Sequence, residues 1–345
     1  EYFTLNTRGL EKFSEKEIAE KFPGAEIREV SYRKVMFSFP GDMANVVELR
    51  SAEDVFLYLG KLNNIGHTRN DLGDLVKKII SLNFSTALKY ISNFRKHDIT
   101  EFSISSSSVG KRNFSYIEVK EAVSEAMQLK LKLAYDDERH EAFDLRVFLE
   151  HDIAYIGVRL SERPLHRRPY KLSTTRATLR ADVAYCMAML AGIQHTDTVL
   201  DPMCGSGTIL AEASTFNPQK LLGGDINEEA VKIAAKNIAA FNPSLRVSLR
   251  KWDARQLPLE NAAVSCIICN LPFGKQIEVG DINAFYTSAV REFDRVLQNG
   301  RRGLLASGFK ELVVALNFLP HLHIAATYET NLNGEVSHLM LVEKK

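Results

Sequence analysis

Cysteine is scarce, with four residues in 345, at positions 186, 204, 266 and 269. That is too few for a disulfide framework in a chain of this length, and it predicts a reducing, cytoplasmic setting. Net charge is nearly absent too: 44 basic residues stand against 43 acidic ones, leaving +1. No global electrostatic signature of a nucleic-acid binder exists, so any such binding must come from local patches. Nowhere do eighteen apolar residues run together, which argues against a membrane-spanning helix. The first residues alternate polar and apolar and then turn amphipathic, so no signal peptide is expected. Low-complexity tracts and short-period repeats are also missing, which sets aside disordered and solenoid proteins.

What remains is an ordinary folded composition, 45% hydrophobic and 25% charged, in a chain long enough for two or three domains. "YFTLNT", "LEKFSEKEIAEKF", "VSYRKVMFSF" and the segments up to "LGKL" give a β-α-β-β-α-β order, which predicts a ferredoxin-like unit over residues 1–62. Helix and strand signals alternate again over 63–160. They end in "AFDLRVFLEHD" and "IAYIGVRLS", a hairpin turned at His151 and Asp152. Residues 161–175 form a linker of different character. Prolines and a basic cluster with His166, Arg167, Arg168 and Tyr170 suit phosphates and unstacked bases. From 176 to 345 strands alternate with helices, which predicts a parallel sheet closed by an antiparallel pair, "LHIAATYETNLN" and "EVSHLMLVEK".

Cys266 and Cys269 make a CxxC, but they lie within "VSCIICN", where strand alternation sends positions three apart to opposite faces. With no second cysteine pair to complete a tetrahedral site, no metal is assigned.

In an open parallel sheet a ligand sits at the carboxyl ends of the strands, so the polar residues there are the informative ones. "VLDPMCGSGT" places Asp201 at a strand tip before a Gly205-x-Gly207 turn. It lacks the third glycine of a dinucleotide fingerprint and the lysine of a phosphate loop, and so suits a ligand with a carboxylate and an amine. Asp225, 24 residues on, ends the next strand, where a carboxylate accepts from ribose hydroxyls. Asp253 follows a third strand, placed to accept from the adenine amine. The fourth ends in "CNLPFG": Asn270 and the Leu271 carbonyl offer acceptors to an NH2 group, Pro272 stiffens the turn, and Phe273 offers a face to a planar base.

With "DPMCGSGT", "GGD", "WDA" and "NLPFG" the chain resembles class I methyltransferases. "NLPFG" is similar to the Asn/Asp-Pro-Pro-Tyr/Phe motif of enzymes that methylate amine and amide nitrogens, with Leu271 in place of the first proline. "PLHRRPYK" and "TTRATLRADVA" look like the junction of a THUMP domain with its methyltransferase, and "FTLNTRGLEKFSEKEI" is similar to the start of the ferredoxin-like domain that precedes it. The chain thus resembles the THUMP-containing RNA guanosine N2-methyltransferases, most closely the branch acting on guanosine-6 of the tRNA acceptor stem.

The resemblance implies a ferredoxin-like domain (1–62), a THUMP RNA-binding domain (63–160), the basic linker (161–175) and a Rossmann-like, S-adenosylmethionine-dependent methyltransferase domain (176–345). It implies a cofactor pocket of Asp201, Pro202, Cys204, Gly205, Gly207, Thr208, Asp225, Ile226, Asp253, Ala254 and Asn270. Asn270, Leu271, Pro272 and Phe273 would hold the target guanine, whose extrusion from a stem costs a few kcal/mol. Lys111 and Arg112 of "VGKRNF", with His166, Arg167, Arg168 and Tyr170, are the RNA contacts expected. The partners implied are the tRNA acceptor stem and 3′ end, with room for a small activator subunit. Other targets, namely ribosomal or small nuclear RNA, would leave the same pocket, and a silent RNA-binding scaffold is the contrasting class. A DNA adenine or protein glutamine methyltransferase would share the "NLPF" type of motif but not the first half of the chain.

Overall fold

Period-two alternation of apolar residues builds two β-sheets, one in each of two units. Glu1–Asn6 with Ser14–Leu165 make the first, and Thr7–Phe13 with His166–Lys345 the second. The computed structural model describes residues 1–96, 98–137, 143–175, 178–272, 281–308, 310–332 and 334–345. No helix among them is long and apolar enough to cross a membrane.

In the first unit β1 (Tyr2–Leu5), α1 (Glu11–Lys21), β2 (Glu26–Ser31), β3 (Lys34–Ser38), α2 (Met43–Val46) and β4 (Asp54–Leu62) follow the expected β-α-β-β-α-β order. Then come α3 (Leu72–Ile80), α4 (Ser85–Arg95), β5 (Glu101–Val109), α5 (Tyr116–Leu131), β6 (Ala134–Tyr135), β7 (Phe143–Glu150) and β8 (Ile153–Arg159). All eight strands join one sheet in the order β2-β3-β1-β4-β8-β7-β5-β6. The seam is the antiparallel pairing of β4 with β8, so hydrogen bonding continues across the boundary expected at residue 62. The helices share one core with one face of the sheet: Ile18, Ile79, Ile91 and Val123 meet Val55, Val147 and Ile156. Phe3, Phe56, Phe148 and Tyr155 pack on the other face, as alternation requires. β7 and β8 turn at His151, whose φ of 52° is left-handed.

The second unit holds α6 (Ala181–Ala191), β9 (Thr198–Asp201), α7 (Thr208–Ala213), β10 (Lys220–Asp225), α8 (Glu228–Phe241), β11 (Val247–Lys251), β12 (Val264–Asn270), α9 (Ile282–Val296), β13 (Leu297–Ser307), α10 (Lys310–Asn317), β14 (Leu322–Leu332) and β15 (Glu335–Lys344). Its sheet runs β11-β10-β9-β12-β13-β15-β14. It is parallel through β13 and closed by the antiparallel β15 and β14. Cys266 packs with the α6 and α8 side chains and Cys269 with those of α9, so the CxxC does point to opposite faces.

Thr7–Phe13, between β1 and α1, belongs to the second unit. Leu10 is fully buried in its core, Thr7 Oγ1 donates to Asp182 Oδ2 at 2.9 Å, and Thr330 Oγ1 donates to the Arg8 carbonyl at 2.9 Å. Gly9 has φ +85°, and a Cβ there would lie 2.1 Å from the Glu329 carbonyl oxygen, so no other residue fits.

Candidate active site

β9, β10 and β12 run parallel as neighbours, which brings Asp201, Asp225 and Asn270 to one edge of the second sheet. β11 pairs with β10 and places Asp253 just beyond its own end. The sheet therefore assembles the acids that were far apart along the chain.

Asp201 is buried. Its Oδ1 accepts the Met203 amide at 3.2 Å, while Oδ2 has no hydrogen-bond partner among the described residues. Burial pushes this carboxyl up to about 8, and the nearby Asp225 charge adds to the rise. Asn270 Oδ1 is also buried, and it too has no partner among the described residues. A buried acceptor left unpaired costs roughly 1–3 kcal/mol, so two of them at neighbouring strand ends call for a ligand that donates.

The turn after β9 is held by its own amides. Cys204 N donates to the Gly224 carbonyl at 2.9 Å, Gly207 N to the Cys204 carbonyl at 2.7 Å, and Gly205 N to Asp225 Oδ2 at 3.0 Å. These donors are spent on shaping the turn, and the helix that follows is only six residues long. Gly207 has φ +81°, and a Cβ there would lie 3.0 Å from that of Ala234, which ties the turn to α8. Thr208 opens α7 and is buried beside Ser206, while the Cys204 thiol forms buried wall, its pKa raised by desolvation. Pro202 accepts from the Trp252 indole at 3.0 Å.

Asp225 gives one oxygen to Gly205 N and the other to Asn227 N at 2.9 Å, which leaves each a further lone pair for a hydroxyl. Ile226 is 59% exposed directly after it, an apolar surface beside the acid, and Ala254 is buried. Asp253 differs from expectation. Its carboxylate is gripped by the Arg255 guanidinium at 2.7–3.0 Å and by the Arg255 amide, and these bonds hold its pKa below the usual carboxylate range. Little acceptor capacity is left for an adenine amine.

Leu271 is fully buried, and its amide donates to the Ala306 carbonyl at 2.9 Å. A proline could not make that bond, so the departure from the Pro-Pro order extends the β12–β13 ladder by one residue. Pro272 is buried too, and Phe273 lies outside the described residues.

The proposed RNA contacts divide. Lys111 and Arg167 are exposed and His166 is half-buried. Tyr170 is instead a core residue: its hydroxyl donates to the buried Glu212 at 2.8 Å and its ring meets Phe241 edge-on at 5.2 Å. Arg168 is likewise committed, with its side chain 8% exposed and Nε 3.4 Å from Glu212. Arg112 donates to the carbonyls of Gly66 and His151 and lies over the Phe114 ring, so it braces its loop. Basic residues beside a tyrosine looked like a stacking surface because nothing nearby in sequence announces Glu212.

Comparison with known proteins adds to this geometry. A family model for the UPF0020, RMKL-like methyltransferase domain matches residues 168–338. The tRNA (guanine(6)-N2)-methyltransferase of Thermus thermophilus is 31% identical over 275 residues, covering 78% of this chain and 77% of that protein. The chain belongs to the RNA guanine-N2-methyltransferase family. The solved structure of TrmN from Thermus thermophilus superimposes with a TM-score of 0.79 at 25% identity, covering 100% of this chain and 99% of that one. Bovine tRNA (guanine(6)-N(2))-methyltransferase THUMP3 is 35% identical over 197 residues, 52% of this chain and 39% of that protein. Mouse U6 snRNA (guanine-N(2))-methyltransferase THUMPD2 is 35% identical over 161 residues, 46% of this chain and 29% of that protein. The chain thus spans less than half the length of these mammalian relatives.

The cofactor of this methyltransferase family, S-adenosylmethionine, fits the residues present. Its amine suits the orphan oxygen of Asp201, its ribose hydroxyls suit Asp225, and its adenine suits the apolar surface of Ile226. Trp252 and Tyr286, which brace this edge, went unread in the sequence. Each acts on a main-chain carbonyl, at Pro202 and Pro272, and a carbonyl leaves no trace in residue type.

Proposed function

We propose that the protein transfers the methyl group of S-adenosylmethionine to the exocyclic N2 of a guanosine in tRNA, at position 6 of the acceptor stem. The observation that carries this is Asn270 Oδ1, a buried acceptor without a partner among the described residues, at the end of β12, beside Asp201 and ahead of a rigid Leu271-Pro272 turn. When bound, S-adenosylmethionine would supply a methyl on a sulfonium, already activated, and leave as S-adenosylhomocysteine, while the nitrogen that takes the methyl gives up one N–H proton to solvent. Asn270 and the Leu271 carbonyl accept the two N2 hydrogens, which holds the nitrogen lone pair out of the ring and toward the methyl. Asp201 holds the cofactor amine, and Asp225 the ribose. Phe273, directly after the turn, stacks on the extruded guanine and offsets part of its unstacking cost.

Residues 1–62 and 63–160 take the ferredoxin-like and THUMP roles in this reading, the second gripping the 3′ end of the RNA. Lys111, His166 and Arg167 remain the basic contacts in this reading, and the four buried, unbridged cysteines support a cytoplasmic location. The name of the mouse relative favours a small nuclear RNA as the second candidate substrate, served by the same pocket.

Purified protein, labelled S-adenosylmethionine and unmodified tRNA transcripts test the proposal. N2-methylguanosine at acceptor position 6 is expected, with kcat reduced roughly 100-fold in Asn270→Ala, the scale of losing one preorganised contact to reacting atoms. Label in U6 RNA but not in tRNA would transfer the reading to the second substrate. Cofactor binding without transfer to either RNA would direct the search to an activator subunit.

A further inference from the structure

Tyr286 lies in the second turn of α9, begun by Asp281, whose side chain accepts the amides of Asn283 and Ala284. It is almost fully buried, packed with Cys269, Leu271 and Phe285. Phenylalanine would serve that packing as well, whereas a hydroxyl in this setting is costly unless bonded. The hydroxyl donates to the Pro272 carbonyl and lies 3.0 Å from Ser307 Oγ. A phenol has one proton, and it goes to Pro272, so Ser307 is the donor in the second contact. Ser307 ends β13, one residue beyond Ala306, whose carbonyl holds the Leu271 amide. The turn is therefore fixed at both ends, by the amide of Leu271 and by the carbonyl of Pro272. Between these fixed points stands the Leu271 carbonyl, and directly ahead of the first stands Asn270, whose Oδ1 has no partner among the described residues.

We propose that Tyr286, backed by Ser307, is a positioning residue whose hydroxyl clamps the Pro272 carbonyl and so sets the direction in which Asn270 and the Leu271 carbonyl face the target amine. The inference rests on the methyl transfer proposed above. Alignment-based catalysis is sensitive to displacements of about 1 Å, which makes a rigid turn part of the rate rather than of binding. Burial pushes the Tyr286 hydroxyl up to about 12, so it stays protonated and donating throughout the working range, as a clamp must.

The test is Tyr286→Phe in the full chain. We expect kcat to fall roughly tenfold. The KM for S-adenosylmethionine and for RNA should stay within about twofold, with the same relative loss at every pH from about 6 to 9. Ser307→Ala leaves the tyrosine donor in place, so a loss of about two- to threefold is expected, with a melting temperature lowered by no more than about 1–2 °C. That variant also carries the test should Tyr286→Phe fail to fold, since an unchanged kcat in a folded Ser307→Ala would then overturn the clamp. Wild-type activity with an undiminished kcat in Tyr286→Phe sinks the clamp and leaves the methyl transfer standing. A new limb in the pH profile of the variant would instead make Tyr286 a proton-transfer group and overturn the positioning role. Absence of transfer by the wild-type chain to any RNA guanosine is the separate failure of the parent reading, and takes the clamp with it.

Discussion

Each unit buries aspartate in an α/β core, and two of these sites, one in each unit, are treated in opposite ways. In the first, Arg159 lies between Asp54 and Asp144, at 2.6 Å from Asp54 Oδ2 and in a second ion pair with Asp144, while Ser105 donates to Asp144 at 2.8 Å. In the second, Asp201 is as deeply buried, yet among the described residues one oxygen has no partner and no cation pairs with it. A carboxylate matched by the protein's own groups holds strands together; one left unmatched waits for something the protein does not contain. The distinction is chemical rather than positional, because both occur at the ends or in the middle of ordinary strands.

The comparison breaks most readily at Arg159. Arg159→Met would leave two buried carboxylates facing each other across β4 and β7, and removing one member of such a group costs about 3–5 kcal/mol. Denaturant unfolding of the variant should show that loss. A change under about 1 kcal/mol would mean that the cluster is not what joins these strands.

Asp201→Asn should act with the opposite sign. The wild-type carboxyl releases its proton near pH 4 when unfolded and near 8 when folded, so the folded state binds more protons between these values. Stability of the ligand-free protein therefore falls as pH rises from about 4 to 8. Asparagine has no proton to lose, and the variant should gain on the wild type progressively across that window, by up to about 5 kcal/mol at pH 8. Its affinity for S-adenosylmethionine should drop tenfold or more, since a cationic amine would no longer meet a carboxylate. Melting curves at pH 5 and pH 8, with and without cofactor, separate the two effects. A variant less stable than the wild type at pH 8 without cofactor would contradict the orphan-acid reading.

The same contrast explains what was legible in the sequence. Asp201, Asp225 and Asn270 were readable because alternation locates strand ends and a parallel sheet aligns them. Asp253 was located correctly in the chain but not in its bonding, since Arg255, two residues on, occupies the carboxylate. Tyr170 and Arg168 were misread because their partner, Glu212, is more than forty residues away. The segment Thr7–Phe13 was read as part of the first unit because it lies between two elements of it; only Gly9, with its left-handed φ, carried a local sign of a special contact. Strand periodicity thus reports which residues reach an edge, while pairing across the fold decides which of them stay free there.

Leu271→Pro is the mildest change that touches the contrast, because it alters a backbone donor and no side-chain chemistry. It restores the Pro-Pro order of the motif, and Asn270, being extended, tolerates a following proline. The Ala306 carbonyl, in a fully buried residue, loses the amide it accepts, which costs about 1 kcal/mol and lowers the melting temperature by roughly 1–2 °C for a chain of this size. With the Tyr286 contact to Pro272 still in place, kcat should change by no more than about threefold. A loss as large as that of Asn270→Ala would show that the amide bond, and not the tyrosine, sets the direction of the turn. An unchanged melting temperature would show that Leu271 holds its place by packing alone.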